Sequence, residues 1–152
     1  MASYAGPGGS KFDFDRAEWR IPAKRMKMGT EHVVPMSRQA LAVLDELRPL
    51  TGSFELLFPN RDNPAKCMSE NTLLYGMYAL GYHSKATPHG LRATASTILH
   101  EMGFRPDVIE RQLSHSERSP VRAAYHRSEY LQERRQLMQT WADFVESLGG
   151  KP

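Results

Sequence analysis

The segment Thr87 to Gly103 reads TPHGLRATASTILHEMG, and its interpretation decides the fold. Thr87 offers the hydroxyl that an N-cap needs and Pro88 the preset φ of a first helical turn, so a helix is predicted from here to Gly103. His89 and Arg92 lie three residues apart near its start and share one face. There both sit close to unpaired backbone amides and the positive end of the helix dipole, a geometry suited to binding phosphate. A lone His-x-x-Arg pair is more often a solvated coincidence, so its weight depends on its surroundings.

Downstream, Pro106 opens a short helix with Val108, Ile109 and Leu113 as its buried face, and Ser119-Pro120 marks the entry to one more helical turn. Tyr125 falls just beyond. From Ser128 to Leu148, the residues Leu131, Met138, Trp141, Val145 and Leu148 recur at helical spacing and predict a long amphipathic helix.

Upstream, FDFDRAEWRIP and HVVP flank a turn at Met28-Gly29-Thr30, which predicts a small antiparallel sheet between Phe12 and Met36. Leu41, Leu44 and Leu47 behind Ser37 predict a capped helix ending at Pro49. A short strand or loop is expected at Leu56 to Pro59, then a polar linker, then a helix capped by Ser69, carrying Leu73, Leu74, Met77 and Leu80 and closed by Gly81. Met1 to Ser10, MASYAGPGGS, has no hydrophobic period and is expected to be a flexible lead-in or expression scar outside the fold. The expected organisation is a lead-in over residues 1–11, one domain over 12–148 and a tail over 149–152. Its fold class is α+β, mainly α-helical, with a small N-terminal antiparallel sheet followed by a helical bundle.

A chain of 152 residues with 40% hydrophobic content suits one compact domain. Cys67 is the single cysteine, so no intramolecular disulfide forms, thiolate-based zinc is disfavoured and a reducing compartment fits. No run approaches the roughly 18 apolar residues of a membrane span and no signal-peptide pattern opens the chain, so a soluble intracellular protein is expected. The balance of 20 Lys+Arg against 17 Asp+Glu, net +3, is too mild to identify a partner. Locally, however, Arg20, Lys24, Arg25, Lys27 and Arg38 face only one acid, Glu31, and this positive segment suits phosphate contacts as well as it suits a solvated surface.

Four separated motifs then stand in order: Lys27 within RMKMGTEHVVP, HGLR at 89–92, LSH at 113–115, and Tyr125 within RAAYHR, ten residues after His115. Together they resemble the C-terminal catalytic domain of the tyrosine recombinases, in particular the bacteriophage integrases, over about residues 12 to 145. The resemblance implies that domain's fold, incomplete at its N-terminus. It also implies a DNA strand-cleaving and rejoining enzyme in which Tyr125 is the nucleophile, Arg92 and His89 contact the scissile phosphate, His115 assists and Lys27 is the general acid. Lys24, Arg25, Arg118 and Arg122 become candidate DNA contacts, and Lys24 or Arg25 could replace Lys27 as the cation facing DNA.

The implied roles agree with chemistry. A phenol of reference pKa near 10 needs nearby positive charge to act as a nucleophile at neutral pH. A guanidinium fork neutralises charge building on phosphoryl oxygens, and a lysine on a hairpin can protonate the departing 5′-hydroxyl. A covalent 3′-phosphotyrosyl link would retain the bond energy, so no cofactor is implied, and the sequence holds no carboxylate cluster for paired magnesium ions. The resemblance further implies double-stranded attachment-site DNA as partner, a tetramer on DNA for the full-length protein, and a bacterial cytoplasm, nucleoid-associated when bound to DNA. The terminal helix could pack on a neighbouring protomer or fold back on its own domain.

Against each role stands a plainer one: Tyr125 and Tyr130 as core aromatics, His115 as a capping residue, and His32, His83, His100 and His126 as surface or hydrogen-bonded histidines. The family also carries a second catalytic arginine, in a short Gly-Glu-Leu-like segment before the first strand, where this chain has MASYAGPGGSK. Arg16 and Arg20 lack that context and do not receive the role. Weak or absent cleavage by this chain is therefore expected, and a degenerate DNA-binding remnant and a topoisomerase-like nicking and closing activity are the competing functions.

Overall fold

The computed structural model describes residues 5, 6, 10–26, 29–114 and 130–149. Lys27, His115, Arg118, Arg122, Tyr125 and His126, and the turn expected at Ser119-Pro120, lie outside the described residues. Within them an antiparallel sheet is followed by helices, as the sequence pattern predicts.

The sheet runs in chain order through β1 (Ala5–Gly6), β2 (Ser10–Asp13), β3 (Glu18–Ile21) and β4 (His32–Pro35). Pairing sets Phe12 opposite Trp19, Trp19 opposite Val34 and Ile21 opposite His32, so these side chains share one face. The Phe12 and Trp19 rings stack with centroids 5.5 Å apart. Gly29, at φ +64°, supplies the left-handed residue of the turn before β4. Contrary to expectation, Ala5, Gly6 and Ser10 are not outside the fold: Ala5 pairs with Lys11 and Gly6 with Ser10. Ladder hydrogen bonds use only the main chain, so this pairing leaves no trace in hydrophobic period.

Helix α1 (Arg38–Thr51) begins where Ser37 Oγ accepts from the Ala40 amide at 3.2 Å. It passes the proline expected to end it. Pro49 in the last turn forfeits one backbone bond, and the Gly52 amide closes the helix on the Arg48 carbonyl at 2.8 Å. Leu56 and Leu57 are buried, and a single bridge pairs Pro59 with Cys67. Helix α2 (Thr72–Met77) continues into a wide turn over Tyr78–Tyr82 that contains Gly81. Ser69 precedes α2 by one turn and is not its cap; its hydroxyl accepts from the Asn71 amide at 3.3 Å.

Helices α3 (Pro88–Glu101) and α4 (Pro106–Gln112) appear where the proline and cap signals put them. The last helix, α5 (Leu131–Leu148), starts three residues later than the period suggested, because Tyr130 stands in the left-handed region at φ 45° and ψ 34°. Its buried stripe also differs. Arg134 and Leu137 have no exposed surface, Met138 and Trp141 pack beside them, and Val145 and Leu148 are exposed. That stripe docks on β4, α1, α3 and α4, so α5 folds back onto its own domain.

Two apolar clusters result. Leu99, Val108, Ile109 and Leu137 form the helical one, and Phe12 and Leu57 anchor a second against Met36, Leu44 and Leu47 from the region of α1. Burial of Glu18 on β3 is tolerated because two guanidiniums answer it: Arg20 at 2.7 Å and Arg135 of α5. No helix among the described residues is long and apolar enough to cross a membrane. Glu18→Gln removes the charge shared by both arginines. It should cost about 1.5–3 kcal/mol, read as a lower urea midpoint with an unchanged denaturant slope.

Candidate active site

The site is built on the start of α3. Thr87 is extended (φ −133°, ψ 157°) and its Oγ1 accepts from the Gly90 amide at 3.0 Å, with Pro88 leading the first turn. His89 and Arg92 are exposed on this turn and the next, on the face predicted for them.

Arg92 is not left to solvent. Its Nη2 donates to the carbonyl of Leu113, the residue that closes α4. A cation thereby meets the carbonyl end of a helix, where the dipole favours it. Leu113 and Ser114 are the first two residues of the Leu-Ser-His motif, and Ser114 turns the chain with φ 53°. Two of the sequence motifs are thus in direct contact, although 21 residues separate Arg92 from Leu113.

Beneath this contact lies a cavity of about 330 Å³, walled mostly by apolar side chains of β3, β4, α3 and α5, with His32, Arg92, Gln112 and Ser114 as its polar members. Lys24 and Arg25 do not line it. They are exposed in a single 3-10 turn, Ala23–Arg25, that follows β3. Arg16 and Arg20 are engaged elsewhere: Arg16 with Asp13 at 3.8 Å, Arg20 with Glu18 and, at 3.2 Å, with Glu31.

Tyr130 takes a structural place. It packs against the helical cluster, gives its hydroxyl to the Asp107 carboxylate and lies under the Arg105 guanidinium, 5.1 Å from its ring centre. Burial, then the bond to Asp107, pushes its phenol pKa up, the wrong direction for a nucleophile.

The His83 ring lies tilted against Tyr78, with centroids 4.4 Å apart, and His100 Nδ1 lies 2.7 Å from the Ser96 carbonyl. His32, expected as a surface or hydrogen-bonded histidine, takes the second of these places and is buried. It is 3% exposed, and burial first, then the charges of Arg134 and Arg111, lower its pKa to about 4, against the opposing effect of a hydrogen bond to the Gln112 backbone. A signal was available, because alternation along HVVP puts His32 on the same face as Val34. Arg134 was missed as well. It interrupts an otherwise apolar stripe, and its Nε donates to Gln112 Oε1 at 2.9 Å while Nη2 donates to the Val33 carbonyl.

The chain matches the phage integrase family over residues 9–132, and it belongs to that family. Among its relatives, prophage integrase IntA of Escherichia coli (strain K12) is 47% identical over 137 residues, which cover 90% of this chain and 33% of that protein. An integrase of Enterobacteria phage P4 is 49% identical over 152 residues, covering 90% of this chain and 35% of its own length. The integrase of Shigella phage Sf6 is 37% identical over 135 residues, 88% of this chain and 35% of that protein. The chain thus spans about a third of the length of these relatives. No solved structure matches it.

The depressed His32 pKa makes a stability prediction. The unfolded chain takes up a proton on this ring near pH 6.5 and the folded chain only near 4, so stability is complete above 6.5 and is lost as pH falls through that window. The loss, on the order of 3 kcal/mol, should appear in urea titrations from pH 7 to 4 and be largely removed by His32→Gln.

Proposed function

We propose that this chain is the catalytic region of a phage integrase that cleaves and rejoins DNA at specific sites through a covalent 3′-phosphotyrosyl intermediate. The observation that carries the reading is the contact between Arg92 and the Leu113 carbonyl. It joins the His-Gly-Leu-Arg turn to the start of the Leu-Ser-His motif, two stretches whose roles both concern one phosphate. Family membership supports the same conclusion.

In this proposal the Tyr125 oxygen attacks phosphorus, the bond to the 5′-oxygen breaks, and Lys27 gives the departing oxygen a proton. Arg92, His89 and His115 hold the negative charge that gathers on the non-bridging oxygens. An incoming 5′-hydroxyl then displaces the tyrosine and restores the phosphodiester, so no cofactor or metal takes part. Lys24, Arg25, Arg118 and Arg122 contact the backbone of double-stranded DNA, and the full-length protein assembles as a tetramer on attachment sites in the bacterial cytoplasm.

The engagement of Tyr130 by Asp107 favours Tyr125 over the nearest other phenol. Attachment-site duplexes, nicked near the scissile phosphate, should accumulate a covalent adduct with the chain, mapped by peptide mass spectrometry to Tyr125. Tyr125→Phe should abolish the adduct and Tyr130→Phe should retain it. An adduct that survives Tyr125→Phe would sink the assignment.

A further inference from the structure

His32 is a polar side chain where an apolar one would be cheaper. It is 3% exposed, its Nδ1 has no partner among the described residues, and two guanidiniums, Arg134 of α5 and Arg111 of α4, act on it. A buried polar atom left unpaired costs free energy, so its presence asks for a compensating role. The ring hydrogen-bonds to the backbone of Gln112, the last residue of α4. Arg134 ties the same two elements a second time, through the Gln112 side chain and the carbonyl of Val33, the neighbour of His32 on β4. The next residue along, Leu113, is the one whose carbonyl accepts from Arg92, and His32 and Arg92 line the same cavity.

We infer that His32 is a positioning residue for Arg92: its neutral ring holds the Gln112 backbone against β4 and, together with Arg134, sets the turn whose Leu113 carbonyl aims the guanidinium. The value of that aim rests on Arg92 being the phosphate contact proposed above, whereas the aiming itself does not. Neutrality is required because, among the described residues, Arg134 and Arg111 are the charges acting on the ring, and an imidazolium between them would push the turn away from β4. A glutamine can retain the bond to the Gln112 backbone without titrating. Leucine cannot.

Nitrogen-15 NMR on the 152-residue chain tests this without requiring cleavage. The His32 ring should remain neutral, with the proton on Nε2, from pH 6.5 down to about one unit above its folded-state value of about 4. The Arg92 guanidinium signal, assigned by its loss in Arg92→Ala, should show the slowed exchange of a bound group. It should average out in His32→Leu and persist in His32→Gln. With a random duplex, His32→Leu should lose about one unit of salt slope, as Arg92→Ala does, while His32→Gln keeps the slope of the unsubstituted chain. A folded His32→Leu with an unchanged Arg92 signal overturns the inference. Should that variant not fold, the decision falls to His32→Gln: loss of the Arg92 signal in it, or a charged ring in the unsubstituted chain within that window, also overturns it. An Arg92 signal that responds as described, with no salt-slope change in any variant, would instead count against Arg92 as a phosphate contact and leave the positioning intact.

Discussion

A guanidinium with no exposed surface must find acceptors inside the protein, because the charge cannot be neutralised by losing a proton. Arg134 finds them on two other elements, Gln112 at the end of α4 and the Val33 carbonyl on β4, so the sheet, α4 and α5 meet at one side chain. Apolar contacts alone would let these elements slide, since burial of Leu137 against Val108 and Ile109 is indifferent to small changes of register. A planar fork with fixed donor directions is not indifferent. The end of α4 is therefore held at a defined height above the sheet, and the Leu113 carbonyl with it.

What the sequence disclosed follows from the range of the forces involved. Helix starts are local: the Thr87 hydroxyl, the Pro88 ring and the Ser37 hydroxyl act within one turn, and α1 and α3 begin where those residues stand. The hairpin strands were legible for a similar reason, since β-rich runs on either side of Gly29 leave few alternatives. The boundaries that failed depend on partners far along the chain. Tyr130 can hold a left-handed backbone because Asp107 and Arg105 secure its side chain, and nothing within one turn of Tyr130 announces them. The buried stripe of α5 does not follow hydrophobicity, because Arg134 is buried through hydrogen bonds to Gln112 and the Val33 carbonyl while Val145 stays exposed.

The site divides in the same way. Its motif residues were recognised as an ordered set, and the described members, His89 and Arg92, fall on the predicted face of α3. The residues around the Arg92 contact were not recognised. His32, Gln112 and the carbonyl of Leu113 contribute through hydrogen bonds, and two of those bonds are made by the main chain, which carries no residue signature. A pattern of side chains can therefore name candidate phosphate-binding groups while saying nothing of what holds a guanidinium in place.

That distinction bears on why Arg92 should be held by a carbonyl rather than a carboxylate. A carboxylate partner would neutralise the guanidinium and compete with a phosphate for the same charge, as Glu18 does for Arg20 and Arg135. A backbone carbonyl takes one of the five N–H donors, orients the plane of the fork and leaves the full positive charge in place. The cost is that the carbonyl must itself be rigid, because an acceptor on a loose turn would aim nothing. In this fold that rigidity comes from α4 being fastened to β4 and α5 by Arg134 and His32, so the orientation of one exposed cation depends on two buried side chains, one a fixed cation and one a neutral ring.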